Sequence, residues 1–204
     1  ENDLLRTKKS IEEALEIADY VVVMAHSHEI KGELSYEPDY FFEEFCRACI
    51  DYGASAVIGG GTHQLKPVEI YKGKPIFYSL GDFIFQNGSV KYLPPDFMEK
   101  YGLPPTATTE EGYRARSKGG KVGLHTDKAN YLSVIPYFEA EGDKITKVVL
   151  KPIELGFDLG EPYKGFPHEA DPKTAAEIYE HLYFISREYN TVMHLEDNLI
   201  KVEV

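Results

Sequence analysis

Two short apolar runs flanking one amphipathic segment constrain the first part of this chain. Residues 20–25 (YVVVMA) and 54–58 (ASAVI) read as strands, the first β-branched enough to be buried on both faces. Between them, Phe42, Phe45, Cys46 and Cys49 fall on one face of a helix expected over residues 39–51. Pro38 before that helix and Gly53 after it mark its ends. Strand, helix, strand at this spacing is a βαβ unit, with parallel strands and a right-handed crossover. The loops after both strands then lie at the sheet's carboxyl edge, where open α/β sheets bind ligands. His26 and His63 each stand just beyond one of these runs, so the topology brings them to one edge.

The remainder is β-rich. Residues 68–71 and 75–80 flank Lys72-Gly73 and read as a hairpin. Residues 131–139 and 144–153 form a second hairpin, and 191–195 with 199–204 a third. Asp171-Pro172 opens a long helix reaching about Tyr189. At the N-terminus, Ser10 and Glu13 have capping-box spacing, which predicts a short helix from Ser10 to about Ile17. Residues 87–130 are rich in Pro, Gly, Thr and charge, and read as a long irregular insertion. Residues 1–204 are expected to form a single domain or half-domain. The fold class is α/β, with a βαβ start followed by β-rich structure.

Composition narrows the partners. There are 34 acidic against 22 basic residues, a formal net charge of −12, which repels nucleic acid and anionic lipid. No nucleic-acid partner is expected. The first residues are charged and amphipathic, without the apolar core or cleavage site of a signal peptide, and no apolar run is long enough for a membrane span. The two cysteines, Cys46 and Cys49, share the apolar face of the expected helix and read as buried structural thiols, not as a redox pair or zinc half-site.

The residues able to carry chemistry cluster after the two strands. His26, His28 and Glu29 place two imidazoles and a carboxylate within four residues, and His63 adds a third imidazole. Such donors suit zinc, manganese or iron. A polar loop with one histidine bonded to backbone is the plain alternative. Gly59-Gly60-Gly61-Thr62 permits close backbone approach but lacks the Lys-Ser/Thr pair of a nucleotide loop. Asp82 either orients a histidine or caps a turn. Arg114, Arg116, Lys118 and Lys121 form a basic island beside His125 and Asp127, either a clamp for an anionic substrate or a solvated loop. His168, His181 and His194 lack polar company and read as structural or surface residues.

Three stretches resemble the CapA-type bacterial capsule-synthesis family, which is associated with poly-γ-glutamate capsules and has a calcineurin-like metallophosphoesterase fold. They are AHSHE at 25–29, the run from Asp51 through SLGDFIF, and the late SREYNT. The resemblance implies the C-terminal half of an α-β-β-α sandwich, whose strand-end loops supply metal ligands. It implies His26 and His63 as ligands to a divalent metal (Mn, Zn or Fe), His26 and Glu29 as catalytic groups, and His28, Asp82 and Thr62 as supporting or substrate-contacting residues. The family's Gly-Asp and Asn-Asn-His motifs belong to an N-terminal half that has no match here, so that half is an expected partner. A further family histidine falls where this chain has Gly60 or Gly61, and a family asparagine where it has Asp82. The implied activity is metal-assisted hydrolysis of an anionic polymer or phosphoester, located at the bacterial cell envelope or its outer face. The alternative is a non-catalytic factor that binds the polymer or its synthase. If the other half is absent, an exposed sheet edge and self-association are expected.

Overall fold

The computed structural model describes residues 2–160 and 162–204. The first helix, α1, spans Asn2–Leu15, so it begins well before Ser10. Ser10 is therefore an interior helix residue, not a cap. Asp3 in the first turn complements the helix dipole, and Lys8–Glu12 and Lys9–Glu13 pair at i,i+4 spacing. Good helix formers upstream thus override the local capping pattern.

β1 (Val22–His26) and β2 (Ala56–Gly60) pair in parallel around α2 (Tyr40–Asp51), forming the expected βαβ unit. Asp39 caps α2 through the Phe41 amide. Gly53, at φ 110°, ends the turn after α2, where an added Cβ would lie 2.7 Å from Leu15. β3 (Val68–Tyr71) and β4 (Lys74–Phe77) make the hairpin, giving the sheet order β1-β2-β4-β3.

β1 is therefore an edge strand, and the expectation that both its faces are buried fails. Val23 and Ala25 turn toward α2, whereas Val22 and Met24 face outward, Met24 with 75% of its surface exposed. Nothing in the described residues covers that face or pairs with the strand's outer edge.

The segment between β4 and the second sheet contains two helices, α3 (Pro95–Lys100) and α4 (Thr109–Arg116). Weak periodicity concealed them because each is only one or two turns long. A reciprocal capping box between Thr108 and Glu111 starts α4. The second sheet is built from β5 (Leu132–Glu141), β6 (Lys144–Glu154), the two-residue β7 (His168–Glu169), β8 (Met193–Glu196) and β9 (Leu199–Val202). Its order is β5-β6-β9-β8, with β7 beside β6. α5 (Pro172–Ser186), capped by Asp171, lies against β3, β6 and β8.

Two apolar clusters hold these elements. One joins α1 and α2 to the first sheet through Ile11, Phe42, Cys46, Cys49, Val57 and Ile76. The other joins both sheets and α5 through residues such as Val68, Phe77, Leu150, Ile178 and Ile200. Both cysteines are fully buried and unbonded, as expected of structural thiols. Burial pushes the Cys49 thiol up to about 11 and raises that of Cys46 further.

One buried charge cluster ties α2 to the β3–β4 hairpin. Arg47 Nε donates to both oxygens of Glu69, at 3.0 and 3.1 Å, and the Tyr78 hydroxyl donates to the same carboxylate at 2.5 Å. Glu69 is only 7% exposed; removing it leaves the buried Tyr78 hydroxyl without its acceptor, whereas the partly exposed Arg47 keeps its ion pair with Glu43 at 3.7 Å. Glu69→Leu is expected to destabilise the chain by roughly 1–3 kcal/mol, chiefly through the unpaired Tyr78 hydroxyl. Urea unfolding measures this, and a loss below about 0.5 kcal/mol would show that the Tyr78 hydroxyl finds another acceptor.

Candidate functional site

β1 ends at His26, whose register partner on β2 is Gly60. The ladder runs one step further, because the Ser27 amide donates to the Gly60 carbonyl at 2.9 Å. Gly61 follows at φ 119°, where a Cβ would sit 2.7 Å from the Ser27 carbonyl oxygen and 3.2 Å from His26 Nε2. Only glycine allows the two loops to approach so closely. Gly60 differs, since a Cβ there would meet nothing within 4 Å.

Beyond the strand ends, three imidazoles gather. His26 Nε2 and His28 Nε2 lie 3.0 Å apart, one donating and the other accepting. The His28 and His63 ring centroids are 6.0 Å apart. Asp82 Oδ2 lies 2.9 Å from His63 Nδ1, and Oδ1 lies 3.1 Å from it. An ionised carboxylate only accepts, so Nδ1 carries the hydrogen and neutral His63 keeps a lone pair on Nε2. His63 also adopts φ 62°, a left-handed conformation that a side chain disfavours. Such strain is held in place by the surrounding structure and clusters at functional positions.

The remaining sequence-nominated residues stand slightly apart. Glu29 is exposed, and its carboxylate accepts a 2.9 Å hydrogen bond from the Ser27 hydroxyl. That bond, with help from backbone amides, lowers its pKa below the usual carboxylate value. Thr62 lies between the glycines and His63, its hydroxyl oxygen buried without a hydrogen-bond partner. Arg114 and Arg116 are not at the histidine edge. They line a neighbouring cavity together with His125.

Three supporting residues escaped sequence reasoning. Ser27 reads as an ordinary loop residue until its bond to Glu29 is seen. Gln64 accepts from Ser35 and donates to Asp127 at 3.0 Å, joining the His63 loop to the segment after α4. Lys66, 1% exposed, donates from its ammonium to the carbonyls of Glu29 and Glu37, at 3.0 and 3.3 Å. It thereby closes the loop that carries His28 and Glu29. A lone lysine after a loop gives no sequence signal for burial, because lysine is almost always solvated.

The donor types suit a divalent transition metal, since imidazole nitrogens with a carboxylate behind one of them make a familiar ligand set. Among the described residues, however, no three His, Cys, Asp or Glu side chains are grouped closely enough to hold an ion by themselves.

Residues 1–87 match the family model described as bacterial capsule synthesis protein PGA_cap. Over 78 residues the chain is 41% identical to the PGA biosynthesis protein CapA of Bacillus subtilis, covering 38% of this chain and 20% of that protein. The first part of the chain therefore resembles the CapA-type capsule-synthesis family. The capsule biosynthesis protein CapA of Bacillus anthracis is 39% identical over 71 residues, which are 35% of this chain and 16% of that one. The uncharacterized protein y4sH of Sinorhizobium fredii is 30% identical over 204 residues, 97% of this chain and 44% of its own length. The chain thus spans less than half the length of this relative. The family-model match covers the whole histidine edge, from His26 through Asp82.

Two measurements test this geometry. His63→Gly relieves the left-handed strain and His63→Ala retains it, so the glycine variant should be more stable by about 1 kcal/mol. Equal stabilities would show that the strain is negligible. Burial pushes the Lys66 ammonium from its ordinary 10.5 down to about 8, partly opposed by Asp39 and Glu29. Between those pH values the unfolded chain binds more protons than the folded one, so stability rises with pH across that window. The rise should be present in the wild-type chain and absent in Lys66→Met, as read by urea unfolding at pH 8 and 10.5.

Proposed function

We propose that this chain is the C-terminal part of a CapA-like protein serving capsule or poly-glutamate synthesis at the bacterial cell envelope. We further propose that its histidine edge is half of a divalent-metal hydrolase site. The observation carrying this reading is the convergence of His26, His28 and His63 at the β1–β2 edge, with Asp82 orienting His63. The process comes from the relatives' names, PGA biosynthesis protein and capsule biosynthesis protein. No helix among the described residues is long and apolar enough to cross a membrane.

His26 and His63 would offer ring nitrogens to manganese, zinc or iron, with His28 hydrogen-bonded to His26 beside them. When bound, the ion would polarise a phosphoryl or amide oxygen and lower the pKa of a water. Asp82 fixes the tautomer and plane of the His63 ring. Glu29, ionised at neutral pH, is the proton acceptor within reach of the same loop. The preceding part of the protein would complete the shell by adding to β1, whose free edge and outward Val22 and Met24 form a surface for it. Without that part, a second copy of the chain would compete for the same edge.

One observation favours a second reading, a non-catalytic envelope factor that binds the polymer or its synthase. At Gly60, opposite His26, there is space for a ligand side chain and no side chain to fill it.

Elemental analysis of the full-length protein separates the two. Stoichiometric divalent metal is expected in the wild type, falling to background in the His26→Ala, His63→Ala double variant. Metal content that the double substitution leaves unchanged would sink the site assignment. A metal-free wild type that still binds polymer would establish the second reading.

A further inference from the structure

The cavity behind Phe85 has about 800 Å³ of open volume, within the usual range for ligand sites. It is lined by α4 and the loop after it, and by residues 85–87 with Tyr131 and Lys164. Its charge runs against that of the chain. Arg114, Arg116 and Lys164 line it beside a single acid, Glu110, whereas the chain carries net −12. Glu110 is already paired with Arg114 at 3.3 Å. Arg116 makes no ion pair among the described residues. Among the described residues the Lys164 ammonium makes no ion pair; it lies 5.2 Å from the centroid of Tyr131 and 4.9 Å from that of Phe157. Two cations lining the cavity are thus without an acidic partner among the described residues.

The walls are built structure, not a loose loop. The Thr108–Glu111 capping box starts α4, and Asp127 accepts both the Ala129 amide and the Gln64 side chain. On the other side, the Phe85 amide donates to the Gly165 carbonyl at 2.8 Å, and Gln86 Nε2 donates to the Pro162 carbonyl at 2.8 Å. The cavity also adjoins the histidine edge. Phe85 contacts His63 on one side and Tyr131 on the other, with ring centroids 6.1 and 5.3 Å away.

We infer that this cavity is the binding cleft for an extended polycarboxylate chain, which Arg116 and Lys164 grip beside the histidine edge. The inference rests on the polymer-related reading above for the identity of the anion, but not on any metal. Guanidinium presents a planar fork to a carboxylate, and the ammonium adds a point charge. The aromatic side chains Tyr101, Tyr113 and Tyr131 offer apolar contact to the methylenes between carboxylates. An opening onto solvent suits a polymer that enters and leaves, since a closed cavity would admit only its end.

The test is fluorescence anisotropy of a labelled γ-linked oligo-glutamate with the full-length protein, with oligo-glutamine of equal length as the neutral control. Binding to oligo-glutamate alone is expected, weakening as salt rises. Arg116→Ala combined with Lys164→Gln should weaken it at least tenfold; glutamine retains most of the packing on Tyr131. Arg116→Lys, which keeps charge but loses the fork, should fall between. Equal affinity for oligo-glutamine, or a double variant that is folded by circular dichroism and binds as tightly as wild type, overturns the proposal. Competition by inorganic phosphate as effective as that by oligo-glutamate would also overturn it, marking a general anion site. Binding should survive in the His26→Ala, His63→Ala protein and without added metal. Failure of the metal assignment therefore leaves this result standing, and the converse holds.

Discussion

The parallel pairing of β1 with β2 governs the placement of everything that bears chemistry. Five register pairs, from Val22 with Ala56 to His26 with Gly60, point both strands toward one edge, and the Ser27–Gly60 hydrogen bond carries the ladder one step past the strand ends. That extra step brings the His26 and His63 loops against each other, and Gly61 is the residue that makes the contact sterically possible. Replacing the parallel crossover with a hairpin would send the two histidines to opposite ends of the sheet.

Two buried charges turn this topology into a rigid platform. Glu69 gathers Arg47 and Tyr78 beneath the sheet, holding α2 and the β3–β4 hairpin in one position. Lys66 reaches up from the loop after His63 to the carbonyls of Glu29 and Glu37. Burying an ammonium is costly, which is why its pKa falls, and the cost is tolerated where it fixes a loop that has no secondary structure of its own. The outward face of β1 shows the opposite state, an apolar strand with an unpaired edge and Met24 in solvent.

Much of the site was legible along the chain, and the unread part has a common cause. His26 and His63 could be placed because strand ends and crossover rules depend on local apolar patterning. His28 falls two residues after His26, so alternation alone puts their rings together. Asp82 was ambiguous between turn cap and histidine partner, because choosing requires knowing that the Leu65–Leu80 bridge folds its loop back on His63. Ser27, Gln64 and Lys66 act through partners 2 to 63 residues away, and no local pattern encodes such pairings. The burial of β1 was misjudged for a related reason: apolar composition signals a strand, but only the sheet order shows that it lies at an edge.

The amino-acid sequence by itself determined the βαβ start, the three later hairpins, the capped α5 helix and the clustering of histidines after two strands. Each of these follows from periodicity, turn chemistry or spacing within a few residues, where backbone sterics dominate. The tertiary structure alone decided which His63 nitrogen faces outward, that Glu29 is bound to Ser27, and that a lysine is buried beneath the loop. It also placed Arg114 and Arg116 of the basic island, read as either an anion clamp or a solvated loop, in the lining of a cavity shared with Lys164, more than forty residues away. Those outcomes depend on contacts between distant segments, whose energies are set by burial and mutual orientation and are invisible in any stretch of chain taken alone.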